Sequence, residues 1–302
     1  MKLTHQQWQN AKSFIKTHAR PLEQKLFTFY FENGSKEDVI KELSHFQNPD
    51  GGFGRSIEPD FRLEASSPLA TTIGLQHVKE LGLSMENPIV RKAMNYLEAS
   101  YDEGMHGWNA VPEEVNSVPH APWWHVDEEK GRCGVQTTWA NPNAEIVSYF
   151  HLFRPDHPRL HEWTERAKDE LSSMSLPIGM HDFLCYQRLM DVVTGEVKTY
   201  LFDILSSSIN GTVCSDPARW NEYVAKPLQM AGSPSSPFFG VLQADILLQL
   251  EHETRTQSEE GYWQPNWTWF GQFNETWPIA EKEWRGILTL EMLRTYQAYG
   301  LV

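Results

Sequence analysis

The chain has 302 residues, enough to bury a large core, and 40 acidic residues against 26 basic ones leave a net charge of −14. That balance argues against nucleic acid and anionic membrane as partners, since both need a basic surface. No run of about 18 apolar residues marks a membrane-spanning helix.

In chain order, the N-terminal segment MKLTHQQWQNAKSFIK has neither an apolar stretch nor a small-residue cleavage site, so no signal peptide and a cytoplasmic location are expected. The apolar run Val39, Ile40, Leu43 and Phe46 follows helical spacing and then stops in FQNPDGGFG. Asn48 and Pro49 forbid further helix, Asp50-Gly51-Gly52 supplies left-handed turn geometry, and Phe53 folds back as an apolar plug. The loop that follows carries Glu58 and Asp60 on either side of Pro59. Ser67-Pro68, Asn87-Pro88, Asn141-Pro142 and Ser236-Pro237 each place a capping side chain before a proline at the first helical position. Helical spacing continues in Ile89, Val90, Ala93, Met94 and Leu97, and again in Phe238, Val241, Leu242 and Leu248. The last predicted helix, about Glu281 to Tyr299, is apolar round much of its circumference and is packed on more than one side. Gly195 to Tyr200 and Gly211 to Cys214 read as short extended pieces, the only interruption of a helical pattern.

Glycine-bearing turns recur roughly every 50 residues, one step holding two helices and two loops, so about six hairpins fit the chain. Gly107-Trp108 and Gln257…Gly261…Trp263 are weaker copies of the first turn. Gln47 through Gly54, followed by SSPLATTIGLQHVKELG from Ser66, resembles the repeat of the protein prenyltransferase β subunits and the squalene-hopene cyclases, in the terpenoid cyclase superfamily. The resemblance is recognisable over about a third of the chain and is extended over the rest by the repeat interval. It implies an all-α fold, an α/α toroid built as a single domain over residues 1–302, with any chemistry in its central cavity. The acidic DxDD motif of the class II cyclases, the DDxxD pattern and the zinc ligands of the prenyltransferases are missing, so the family chemistry does not transfer by motif.

Candidate site residues fall into four groups. Glu58 and Asp60 lie next to a helix start and suit acid–base work, a buried carboxyl with a raised pKa serving as general acid; they equally suit helix capping or pairing with Arg55 and Arg62. His120, Trp123, Trp124 and His125 form a segment suited to a cavity mouth, the indoles stacking on a sugar or facing a cationic intermediate, or bracing a long loop. Asn143 and Glu145 open a helix, as do His181 and Asp182, and each pair serves a ligand or the helix end itself. Trp267 and Trp269 belong to an aromatic segment, Trp263 to Trp277, that forms a wall or packing wedges. The two histidines lack metal spacing and a third ligand, the three cysteines are far apart and odd in number, and no phosphate, dinucleotide or GxSxG fingerprint occurs, so neither metal nor cofactor is expected.

Three functions are compatible with these residues. The first is a small-molecule enzyme resembling the terpenoid cyclases and prenyltransferases, working by acid catalysis at Asp60 or Glu58 with Glu145 as a further acid. The second is a carbohydrate-active hydrolase or lyase on the same toroid, and the third a non-catalytic toroid holding a lipid or peptide. The expected partner is thus a small molecule, isoprenoid-like or sugar-like; the oligomeric state is not encoded in any motif.

Overall fold

The computed structural model describes residues 1–302, and the chain is all-α. Its helices are α1 (His5–His18), α2 (Pro21–Phe31), α3 (Lys36–Ser44), α4 (Pro68–Glu80), α5 (Pro88–Ala99), α6 (Ala140–Phe153), α7 (Leu160–Ser173), α8 (Met180–Met190), α9 (Gly195–Thr212), α10 (Pro227–Met230), α11 (Phe239–Thr256) and α12 (Trp277–Ala298). One two-stranded ribbon pairs Val126–Asp127 (β1) with Arg132–Cys133 (β2). No helix is long and apolar enough to cross a membrane. The residues form two compact units, one of Met1–Glu42 with Asn210–Val302, the other of Leu43–Ile209.

The segment read as extended at Gly195 to Tyr200, and the start of the one at Gly211, lie inside α9. Leu201, Leu205 and Ile209 recur every fourth residue and are buried. Burying that stripe outweighs the β-branched Val197 and Thr199.

In the unit of Leu43–Ile209, two of the three proline-led helix starts, at Ser67 and Asn87, carry the cap that the sequence predicts, while Asn141 makes no cap bond. The Ser67 side chain accepts from the Ala70 N–H and that of Asn87 from the Ile89 N–H, satisfying donors that the first turn leaves without a partner. Asn141 has non-helical angles (φ −98°, ψ 110°), so regular helix in α6 begins at Pro142. Helix α6 is buried on every side from Ala140 to Phe150 and packs most extensively against α8, with α7, α4 and α5 round it. A helix enclosed like this is normally apolar throughout. Here it carries Asn141, Asn143, Glu145 and Ser148 into the interior, and each needs a partner there.

In the unit of Met1–Glu42 and Asn210–Val302, α12 packs against both α1 and α2. The close approach is made at Gly286, where a Cβ would lie 2.8 Å from that of Ala19. Thr4 and Gln7 close a capping box at the start of α1.

One turn occurs in both units. In the first copy the Gln47 amide donates to the Gly51 carbonyl at 2.9 Å and to the Ile89 carbonyl, at the start of α5, at 2.8 Å. In the second, the Gln257 amide donates to the Gly261 carbonyl at 2.9 Å and to the Gln7 carbonyl, in the first turn of α1, at 3.2 Å. The main-chain bonds match as well: Asn48 N–H to Gly52 O at 2.8 Å and Ser258 N–H to Tyr262 O at 3.0 Å. Both glycines need left-handed geometry, φ +97° at Gly51 and +98° at Gly261, and both press against a neighbouring helix backbone. The aromatic after each turn gives its N–H to a threonine of the next long helix, Phe53 to Thr71 and Trp263 to Thr289, at 3.0 and 3.1 Å.

A third turn, in the Leu43–Ile209 unit, keeps part of this wiring without the glutamine. Asp102 and Gly107 exchange main-chain bonds, and the Trp108 N–H donates to Asn143 of α6 at 2.6 Å. The Trp108 indole donates to the Leu97 carbonyl at 2.6 Å and that of Trp263 to the Glu253 carbonyl at 3.0 Å, so each aromatic also caps the helix that precedes it.

Candidate functional site

Ten of the twelve sequence-predicted site residues lie in the unit of Leu43–Ile209. The structure arranges them in two clusters and assigns one of them to the scaffold.

Asn143 is that one. It is fully buried; its side-chain oxygen accepts from Trp108, and its amide donates to the Trp108 and Trp139 carbonyls at 3.2 and 2.7 Å. Gln136, also buried, clamps the same strand by accepting from the Ala110 N–H and donating to the Trp108 carbonyl. Asn143 therefore spends its bonding capacity holding the 108–110 segment against α6.

The first cluster joins the acidic loop to the histidine–tryptophan segment. Arg62 donates its N–H to the Pro119 carbonyl at 2.9 Å and Ala121 to the Asp60 carbonyl at 2.7 Å, so residues 60–62 run antiparallel to 119–121. Glu58 and Asp60 are both buried, and Glu58 Oε1 accepts from the Asp60 N–H. Phe61 meets Trp124 edge to face at 5.1 Å, which makes Trp124 a brace of this loop pair, while Trp123 is half-buried. His120 is buried and His125 exposed; their rings stack at 5.5 Å with His120 Nε2 3.3 Å from His125 Nδ1. Burial lowers the His120 pKa, with the neighbouring His125 adding to it, against the opposing bond to the Val118 carbonyl.

The second cluster is built on three helices round Glu145. Its Oε1 accepts from Gln76 of α4 at 2.8 Å and from the Tyr149 hydroxyl, one turn along α6, at 2.7 Å. Its Oε2 accepts from Arg188 of α8 at 3.2 Å. The Glu145 side chain is 4% exposed and that of Arg188 34%, so the pair runs from the interior to the surface. Two charges are kept in a low-dielectric interior only when paired and hydrogen-bonded, and both conditions hold. Burial, reinforced by the Glu145 charge, pushes the Tyr149 hydroxyl well above its ordinary range, and the same two causes raise the Cys185 thiol.

His181 and Asp182, at the start of α8, border this cluster. Asp182 is half-buried and accepts from the Thr138 hydroxyl at 2.8 Å. Burial raises its pKa, against that bond. His181 keeps solvent contact but is hemmed in by protein, and this desolvation, with the Arg188 charge, lowers its pKa. Two adjacent groups are thus displaced in opposite senses: the carboxyl holds its proton to higher pH and the imidazole stays neutral to lower pH.

Gln76 and Arg188 lacked any signal as separate residues. Gln76 lies four residues after Thr72, on the helix that the first turn leads into, and Arg188 is the only basic residue of α8 apart from His181.

Trp267 and Trp269 belong to the other unit. Trp267 is half-buried and meets Trp284 edge to face at 5.0 Å and Tyr223 at 5.8 Å. Trp269 is fully buried, with Phe273 and Trp277 round it. No group of three or more His, Cys, Asp or Glu side chains has an arrangement that could hold a metal ion.

No family model, curated protein or solved structure matches the chain.

Proposed function

We propose that the chain is a toroidal helical-repeat enzyme acting on a carbohydrate, with its site at the Glu145–Arg188 cluster. The observation that carries this reading is the buried Glu145 carboxylate, which collects donors from α4, α6 and α8 and leads out through Arg188. A set of amide, phenol, guanidinium and carboxylate groups of this kind suits a hydroxyl-rich ligand. The repeated Gln–Gly–aromatic turn supports the toroid, because each copy ties the end of one helix to the first turn of another by the same bonds.

Proton transfer is assigned to His181 and Asp182. As a glycosidic bond breaks, one member of this pair gives a proton to the leaving oxygen and the other takes one from the attacking water, so one water is consumed. Glu145 is a positioning residue that fixes Arg188 at the edge of the site, where its charge recognises the substrate hydroxyls. An isoprenoid substrate would instead use buried Asp60 or Glu58 as its acid and need aromatic faces. Trp124 and Trp269 are spent on packing and offer a cationic intermediate no free face.

A thermal-shift panel separates the two. Cellobiose, xylobiose, chitobiose and maltose are tested beside farnesol and geranylgeraniol. At least one disaccharide is expected to raise the melting temperature, with the shift lost in Arg188→Met. A shift by the isoprenoid alcohols alone, abolished in Asp60→Asn, would contradict the proposal.

A further inference from the structure

The unit of Met1–Glu42 and Asn210–Val302 carries an aromatic surface that the mechanism above does not use. Phe270 is 76% exposed, Tyr223 56% and Phe273 41%; Phe202, at 39%, is the one other exposed Phe, Tyr or Trp. Exposed single apolar residues need no explanation, but two phenylalanines three residues apart on one loop do.

The loop is built to present them. Phe270 and Phe273 adopt φ +52° and +48°, with Gly271 between them at +79°. Bulky residues avoid this left-handed region, and backbone strain of this kind gathers at functional segments. Buried Trp269 anchors the loop from below: its ring meets Phe273 at 6.3 Å and Trp277 at 5.7 Å, and its carbonyl accepts from Gln272 at 3.0 Å. The Phe273 carbonyl accepts from Thr276 at 2.8 Å, closing the far side. Tyr223 joins through Trp267.

The rest of the segment defines the partner's chemistry. Between Trp263 and Trp277 the non-aromatic residues are Gln264, Pro265, Asn266, Thr268, Gly271, Gln272, Asn274, Glu275 and Thr276. Within this stretch there is no Leu, Ile, Val or Met and no cation, although exposed Ile279 lies two residues beyond it. A membrane-inserting tip would carry aliphatic residues with lysine or arginine beside them, and a protein docking face shares the aromatics but adds arginine and methionine. Rigid rings interleaved with amides and hydroxyls match the alternating apolar faces and equatorial hydroxyls of a sugar chain.

We propose that the Trp267–Trp277 loop, with Tyr223, is a binding platform for a polysaccharide chain, contacted through Phe270 and Phe273. The inference rests on the carbohydrate reading above and extends it to a second, non-catalytic contact surface. It also changes which aromatics of the segment meet the ligand: the two phenylalanines, with Trp269 as their support.

Affinity electrophoresis in native gels containing xylan, hydroxyethylcellulose, galactomannan or glycol chitin tests it. The wild-type chain is expected to be retarded by at least one of them. Phe270→Ala/Phe273→Ala is expected to lose at least about tenfold in affinity, a difference of about 1.4 kcal/mol, while Arg188→Met remains retarded. Equal retardation of wild type and double variant would overturn the platform and leave the Arg188 site standing. No retardation of the wild type in any gel would also overturn it, and the disaccharide thermal shift would then judge the Arg188 site separately. Sedimentation with phosphatidylcholine vesicles, or concentration-dependent dimerisation, abolished by the double variant in the absence of gel retardation, would assign the phenylalanines to a membrane or to a second copy and overturn the proposal.

Discussion

The turns at Gln47 and Gln257 share nearly every bond, and the loops they lead into share nothing. Each glutamine bridges its own turn glycine and the first turn of a neighbouring helix, and each following aromatic gives its N–H to a buried threonine. After Phe53, the chain enters an acidic loop whose Glu58 and Asp60 are buried. After Trp263 it enters an aromatic loop that puts Phe270 into solvent. The shared part is a mechanical joint fixed by backbone geometry. The loop between the aromatic and the next helix carries no such constraint, and there the two units acquire different chemistry.

The largest effect that breaks or sharpens this comparison is at the glycines. A Cβ at Gly51 would lie 2.4 Å from the Lys92 carbonyl oxygen and one at Gly261 2.2 Å from the Asn10 carbonyl carbon, both at positive φ. Gly51→Ala and Gly261→Ala are each expected to cost about 3 kcal/mol or more by denaturant unfolding. If one is well tolerated, the two turns are not mechanically equivalent.

Next is the charge pair. Glu145→Gln removes the buried carboxylate that pairs with Arg188; with a third of the Arg188 side chain in solvent, the expected loss is about 1–3 kcal/mol, less than for a fully buried pair. The same change is expected to abolish the disaccharide thermal shift, which a merely structural pair would leave in place at a lower melting temperature.

Gln47→Leu and Gln257→Leu each remove two donated bonds from partly buried carbonyls. Each is expected to lower stability by about 1–2 kcal/mol, equally at the two turns. Unequal costs, read from chemical denaturation, would show that one unit leans on the joint more than the other.

The smallest effect is a pH slope at Asp182. Its folded pKa is raised by burial. The native state therefore binds this proton more tightly than the unfolded chain does. Stability from this group is present below the unfolded value of about 3.9 and is lost as pH rises through the folded value. His181, with a lowered pKa, works in the opposite sense, losing stability as pH falls from about 6.5 through its folded value. Asp182→Asn is expected to steepen the acid-side fall in melting temperature, because it removes a group that favours the native state as pH falls; an unchanged slope would mean that Asp182 does not titrate differently on folding.

The fold was legible where local chemistry decides it. Ser67-Pro68 and Asn87-Pro88 mark helix starts because capping acts within three residues. The glutamine turns were legible because Gly51 and Gly261 are the residues that such a turn requires. Helix α9 was not, since Gly195, Val197 and Thr199 look extended until the stripe from Leu201 onward is included. At the site, Glu145 was visible as an acid near a helix start, but Gln76 and Arg188, its partners from other helices, are more than 40 residues away in sequence. The identity of Asn143 as a bracket for Trp108 depends on the same kind of distant contact.

Hydrogen–deuterium exchange, with and without the disaccharide that raises the melting temperature, addresses the site most directly. The account expects slowed exchange in peptides covering 138–149 and 180–190, where Thr138, Glu145, His181 and Arg188 lie. Protection confined to 57–62 and 118–125, with the α6 and α8 peptides unchanged, would contradict it.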